Sequence, residues 1–203
     1  MYETHDHACA CAEPQPPGLL RRLSRWRAKQ LLRNALSEAG EPGLVLDLGC
    51  GVGRFWPVLG EHGNRVILAA DHSQDVLNHA RTHHPASLLA RIRTFQSSAF
   101  NIGLSENAVD CIVCSTLFAR LDSAEARMAL LRECQRVSRD TVILCVGIKA
   151  CLRLGPDLPG PLLSKSTAET EFKAAGFEIL MRQDLCPGFS SSRTYVLRKT
   201  SQD

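Results

Sequence analysis

The stretch LVLDLGCGVGRF, residues 44–55, constrains this chain more than any other. Leu44–Leu48 is an apolar run of strand length, and it ends in three glycines at alternate positions, Gly49, Gly51 and Gly53. Apolar residues return at Val52, Phe55, Trp56 and Leu59, the i, i+3, i+4, i+7 spacing of a helix face. A buried strand, a tight turn and a helix follow one another. The glycines permit left-handed backbone and let a ligand come close to the main chain. Asp47 lies two residues before the first of them, so the turn sits beside a carboxylate.

The rest of the chain repeats the alternation. Strands are expected at 66–71, 88–95, 108–117 and 141–148, with a helix from Ser73 to about His84 and another starting near Asp122 and Glu125. Residues 151–163 hold three prolines and read as a loop. A helix over 166–175 stops at Gly176, and two last strands, 177–182 and 194–199, flank the loop CPGFSSS. Unalternating apolar strands separated by helices predict an α/β fold of the Rossmann-like, doubly wound kind, with helices on both faces of a mostly parallel seven-stranded sheet. No helix separates the final two strands, so the last one is expected to run antiparallel.

Ahead of the first strand, residues 19–40 have helical spacing and end at Gly40, with Arg21, Arg22, Arg25, Arg27, Lys29 and Arg33 making one side basic. A solvated face explains that side, and an anionic substrate, RNA or a membrane surface would also suit it. Residues 1–18 read as a polar tail. Its HDHACAC segment offers His5, His7, Cys9 and Cys11, but the i, i+2 spacing fits no standard zinc pattern, so no metal is expected. The expected organisation is therefore a tail (1–18) and one domain over 19–203. That domain comprises the helix at 19–40, a cofactor-binding core at 41–150 and a C-terminal part at 151–203.

The 203 residues, 44% hydrophobic and 22% charged, suffice for one sizeable core, and a net charge of +3 says little about nucleic acid. Nine cysteines, odd in number, include Cys50, Cys111, Cys114 and Cys145 inside or beside apolar runs, which argues for a reducing, cytoplasmic setting over a disulfide framework. No apolar run is long enough to cross a membrane, and the N-terminus lacks the pattern of a secretory signal.

In open parallel sheets the ligand lies at the carboxyl ends of the strands where their order reverses, and the turn after the first strand is the natural place. Arg54 stands where a dinucleotide fingerprint wants its last glycine, and the Asp47 carboxylate would repel a pyrophosphate. A ligand with positive charges suits the turn better, and S-adenosylmethionine has a sulfonium and an ammonium. Asp71 ends the second strand 22 residues after Gly49, where a carboxylate can accept hydrogen bonds from ribose hydroxyls. That residue would serve NAD equally well, and a dehydrogenase stays open on it alone.

VLDLGCGVG resembles the first motif of the class I S-adenosylmethionine-dependent methyltransferases of small molecules. VILAADHSQDVLNHAR resembles the second motif, FQSSAF sits where the third places its adenine loop, VDCIVCSTLFARL resembles the fourth and EFKAAGFEIL the start of the sixth strand. The likeness spans roughly residues 40–200. It implies S-adenosyl-L-methionine as cofactor and S-adenosyl-L-homocysteine as product. Gly49, Cys50, Gly51 and Gly53 should then pass beneath the methionine part, and Asp47 should help hold its amino group. Asp71 should bind the ribose with His72 flanking the adenosine, and Ser98, Ala99 and Phe100 should lie near the adenine. Cys114 and Ser115 should border the transferred methyl. Family members often carry an acid at about Ser98 and a Pro-Gly-Gly turn where this chain has SRDTVIL.

Methyl transfer needs a base only where the acceptor must lose a proton, and no catalytic residue is evident. His62, His79, His83 and His84 are expected at helix ends away from the site, while His5 or His7 could fold over it. Arg120, in LFARL, could hold a carboxylate or phosphate bidentately. Cys111 and Cys114 resemble a redox pair, but i and i+3 on a strand face opposite sides, which makes both core residues. The leading reading is methylation of a small molecule, anionic or a lipid or glycan precursor, by a monomer or homodimer. RNA methylation is disfavoured because CSTL is unlike the Asn- or Asp-Pro-Pro-Tyr motif of base-amino enzymes. A catalytically silent cofactor-binding subunit of a partner enzyme is the reading from a different class.

Overall fold

The computed structural model describes residues 18–149, 161–186 and 192–200. Seven strands form one sheet: β1 (Leu44–Leu48), β2 (Val66–Asp71), β3 (Ile92–Gln96), β4 (Val109–Cys114), β5 (Ser138–Gly147), β6 (Phe177–Asp184) and β7 (Ser192–Lys199). Their order is β3-β2-β1-β4-β5-β7-β6. Only β7 opposes its neighbours, pairing antiparallel with both β5 and β6. The expected Rossmann-like, doubly wound α/β class and the antiparallel last strand are both observed. The chain runs outward from β1 to β3 and then crosses back to β4, so the order reverses between β1 and β4. That reversal opens a crevice at their carboxyl ends.

The helices are α1 (Leu19–Glu38), α2 (Trp56–Leu59), α3 (Gln74–His83), α4 (Ala86–Leu89), α5 (Ala124–Val137) and α6 (Lys165–Ala174), with a 3-10 turn at Phe118–Arg120. They cover two separate cores. One face buries Leu46, Leu48, Ile112 and Cys114 against Leu131 of α5 and Phe172 of α6. The other buries Val45, Ile67, Cys111 and Val113 against Leu36 of α1 and Trp56 of α2. Neighbouring strand residues thus alternate between cores, which is why every central strand reads as continuously apolar. Cys111 and Cys114 go to opposite faces, as the strand geometry demands, and neither is paired.

Several boundaries differ from the sequence expectation. The helix expected from Val52 begins only at Trp56, because Gly49, Gly51 and Gly53 all have positive φ (68°, 54° and 74°) and keep residues 49–55 in turns. The strand expected over 88–95 splits: Pro85 opens the short helix α4, and β3 starts at Ile92. Leu88 is thereby drawn onto Gly60, where an added Cβ would lie 2.5 Å from its Cδ1. The strand expected over 108–117 ends at Cys114, and Leu117 leads into the 3-10 turn. Ser123, not Asp122, caps α5, its Oγ accepting the Ala126 N–H at 3.1 Å. β5 starts at Ser138 and not Thr141, β6 runs on to Asp184, and β7 starts at Ser192. α1 ends near the expected stop, with Gly40 at φ 77°. The tail with His5, His7, Cys9 and Cys11, and most of the two expected loops, lie outside the described residues.

Candidate functional site

The glycine turn is held from below by β2. The N–H groups of Gly49 and Cys50 both donate to the Ala70 carbonyl, at 2.8 and 3.1 Å. The N–H of Gly51 donates to Asp71 Oδ2 at 2.9 Å. Asp71 Oδ1 accepts the Ser73 N–H at 3.1 Å and lies 3.1 Å from His72 Nδ1. One buried carboxylate therefore ties the glycine turn to the start of α3. The Ser97 N–H donates to the Asp71 carbonyl at 3.0 Å, which brings the loop at 97–102 to the same place. In that loop Ser98 Oγ accepts the Phe100 N–H, Phe100 is 46% exposed, and Ile102 N–H donates to Glu133 Oε1.

The three glycines do different work. A Cβ on Gly53 would sit 2.4 Å from the Trp56 indole, and one on Gly49 would sit 3.1 Å from Leu117 Cβ. Both are close-packing positions, and Leu117 carries the loop after β4 onto the turn. A Cβ on Gly51 would meet nothing within 4 Å, so the space over it is open to a ligand.

Asp47, on β1 two residues before Gly49, is 1% exposed, and its Oδ1 has no hydrogen-bond partner among the described residues. Burial pushes its pKa up to about 7. The Trp56 indole N–H opposes that rise, and the charge of Asp71 adds to it. Trp56 Nε1 is itself buried without a partner, so the indole acts on the carboxyl across space and not through a closed hydrogen bond. A buried acid with an unpartnered oxygen, next to the glycine turn in the chain, fits a cation. An ammonium would satisfy the oxygen and stabilise the ionised form. The same donor set suits no pyrophosphate.

Cys50 and Cys114 flank the crevice as buried thiols. Burial pushes Cys114 up to about 12 and Cys50 higher still, so both are neutral near pH 7. Ser115 follows Cys114 and is half-buried. The structure thus brings Asp47, Gly49, Cys50, Gly51, Gly53, Asp71, His72, Ser98, Ala99, Phe100, Cys114 and Ser115 to one end of β1–β4. Arg120 stands apart: it is exposed on the 3-10 turn, and its side chain makes no hydrogen bond or ion pair among the described residues. Among those residues no three His, Cys, Asp or Glu side chains could hold a metal.

His84, expected far from the site, reaches the turn. Its Nε2 lies 3.1 Å from the Val52 carbonyl, and its ring centroid is 4.9 Å from that of Trp56. Trp56 and Leu117 were legible only as core residues. Apolar spacing marks a buried side chain but does not say that it props a ligand loop.

A family model described as a methyltransferase domain matches residues 45–141. No curated protein matches the sequence. Among solved structures, magnesium protoporphyrin IX methyltransferase from Synechocystis PCC 6803 with bound SAH superposes with a TM-score of 0.73 at 16% identity, covering 93% of this chain and 90% of that one. A SAM-dependent methyltransferase from Aquifex aeolicus gives 0.68 at 20% identity, covering 91% and 98%. The cyclase SpnF gives 0.69 at 16% identity, covering 86% and 82%. Residues 45–141 thus match a methyltransferase domain, and the chain shares the fold of solved S-adenosylmethionine-dependent methyltransferases. At such identities the solved structures speak for the fold alone. No helix among the described residues is long and apolar enough to cross a membrane.

Proposed function

We propose that this chain moves the methyl group of S-adenosylmethionine to a small-molecule acceptor, either an anionic metabolite or a lipid or glycan precursor. The observation that carries the cofactor half is the partnerless Oδ1 of buried Asp47, two residues before a glycine turn that leaves open space at Gly51. The cofactor supplies an electrophilic methyl carbon on a positively charged sulfur with a neutral leaving group. The chain's own residues have a positioning task, which can contribute several kcal/mol. Asp47 receives the cofactor's ammonium. Asp71, fixed by the Gly51 and Ser73 amides, keeps lone pairs for ribose hydroxyls. Ser98, Ala99 and Phe100 border the adenine, with His72 over the adenosine. Cys114 and Ser115 line the methyl side, and the neutral Cys114 thiol is no competing nucleophile there.

The small-molecule reading draws support from the magnesium protoporphyrin IX methyltransferase, which shares this architecture over nearly its whole length. Calorimetry on the full chain tests the cofactor half. S-adenosylhomocysteine should bind, Asp71→Ala should abolish uptake, and NAD should give no heat. Heat with NAD and none with the sulfur nucleosides would overturn the reading. Release of S-adenosylhomocysteine across a panel of acidic and neutral acceptors tests the other half.

A further inference from the structure

Helix α1 carries two apolar stripes, and the fold uses one of them. Leu31, Leu32, Ala35 and Leu36 are buried, the last three in the core that covers Val45 and Val196 of the sheet. Leu19, Leu23 and Trp26 recur at i, i+4 and i+7, yet they are 83%, 57% and 55% exposed. At 3.6 residues per turn their stripe lies roughly opposite the buried one, where the sheet cannot cover it. The other large apolar side chains exposed among the described residues, Val66 and Phe100, stand singly on other parts of the fold.

The exposed stripe stands at the crevice end of the molecule. β7 opposes both β5 and β6, so β6 runs parallel to β5, β4 and β1. The carboxyl end of β6 therefore lies at the same edge of the sheet as the crevice. Asn34 Nδ2 donates to Gln183 Oε1 at 3.3 Å, and one strand step further along, Arg27 Nε donates to the Leu185 carbonyl at 3.3 Å. Followed backward from Asn34, α1 thus rises toward that edge. The residues from Leu19 to Trp26 extend it about 12 Å beyond Arg27.

Charge says what covers the stripe. From Pro14 to Ser37 the sequence has no acid, while Arg21, Arg22, Arg25, Arg27, Lys29 and Arg33 are all basic. Arg25 has contacts of its own, and Arg33 is paired with Glu61. The exposed Arg22 stands three residues after Leu19 and four before Trp26, and its side chain makes no hydrogen bond or ion pair among the described residues. Leucines and an indole bordered by cations on one helix face suit a lipid–water interface, where the indole sits at headgroup level and the cations meet phosphates. A nucleic acid would use the cations and leave Leu19 and Leu23 in water. We propose that the first turns of α1 are an interfacial anchor, which seats the chain on an anionic lipid surface beside the crevice end. The docking stands without the methyltransferase reading. Its consequence rests on that reading: the acceptor is then the lipid precursor, taken from the bilayer surface.

The test sediments the full chain with vesicles of phosphatidylcholine, with and without phosphatidylserine. The wild type should partition onto the mixed vesicles, and the double variant Leu23→Ser, Trp26→Ser should do so at least tenfold less. Arg22→Gln should weaken partition severalfold, and added salt should weaken it further. Fluorescence reads the same contact without a variant: emission of the exposed Trp26 should shift to shorter wavelength on the mixed vesicles, while the buried Trp56 adds a constant background. Melting temperature and S-adenosylhomocysteine affinity should be unchanged in the double variant, because the stripe touches neither core nor cofactor. No partition of the wild type, or equal partition of wild type and double variant, overturns the proposal. So does self-association that the double variant abolishes without any uptake of vesicles, since the stripe then meets a second copy. A Trp26 shift produced by S-adenosylhomocysteine alone overturns it as well, because the stripe then closes over the crevice, and so does uptake of single-stranded RNA in place of vesicles. Failure of the wild type to bind S-adenosylhomocysteine sinks the methyltransferase reading instead, and vesicle partition still reads the anchor separately.

Discussion

Asp47 couples the site to pH. Its folded pKa is raised to about 7 from an ordinary 3.8, so the folded chain holds a proton that the unfolded chain has released. The contribution of this group to stability is thus fully present below pH about 4 and falls as pH rises to about 7, beyond which it is flat. Urea midpoints of the cofactor-free chain at pH 5, 6 and 8 should show that decline, and Asp47→Asn should remove it. On the proposed placement of the cofactor's ammonium at Asp47, binding runs the other way, since an ammonium selects the carboxylate. Affinity for S-adenosylhomocysteine should be about tenfold tighter at pH 8 than at pH 6, a dependence that calorimetry on Asp47→Asn should no longer find. The glycines separate in the same way. Gly53→Ala meets the Trp56 ring at 2.4 Å with φ at 74°, and it should cost roughly 2–4 kcal/mol in chemical denaturation. Gly51→Ala meets no atom, so it should cost only about 1–2 kcal/mol for its left-handed backbone while lowering cofactor affinity more than tenfold.

At the scale of elements, α3 matters through its first turn. Ser73 Oγ accepts the Val76 N–H at 3.3 Å, and the Ser73 N–H is one of the two amides that hold Asp71. Ser73→Ala removes the cap but keeps the backbone donor. It should lower stability by about 1 kcal/mol and leave cofactor affinity within twofold, read from thermal melts and titration. The loop after β4 is positioned by a different device. Leu117 rests against Gly49, and Phe118 is buried against Phe172, with ring centroids 5.9 Å apart. The end of β4, with Cys114 and Ser115, is thus anchored through α6, an element distant in sequence.

For the whole molecule, α5 and α6 are joined by Arg127, 5% exposed, whose Nε and Nη2 reach the two oxygens of Glu171 at 2.8 and 2.6 Å. This pair holds Arg127 charged and stands over the core face that contains Cys114. Glu171→Gln leaves a guanidinium without its counter-charge, and a loss of about 3 kcal/mol is expected in urea unfolding. A ligand that binds only the folded chain opposes such losses, by about 2.7 kcal/mol at a hundredfold excess over Kd. A thermal melt with S-adenosylhomocysteine should therefore restore most of the Glu171→Gln deficit.

The amino-acid order alone determined the alternation of strands and helices, the antiparallel last strand, the glycine turn and the acids Asp47 and Asp71. Each of these is written in local signals: apolar runs, glycines at alternate positions, and a carboxylate at a strand end. Strand ends were less legible, as at β3 and β5, because a boundary is set by which neighbour supplies the next hydrogen bond and not by the residue itself. Tertiary structure decided that Gly53 makes room for Trp56 and Gly49 for Leu117, and that His84 reaches back to the Val52 carbonyl. It likewise decided that the Arg54 guanidinium lies 5.2 Å over the Phe55 ring. Side chains far apart along the chain meet only once the sheet is assembled, and packing against a distant partner leaves no periodic trace at either position.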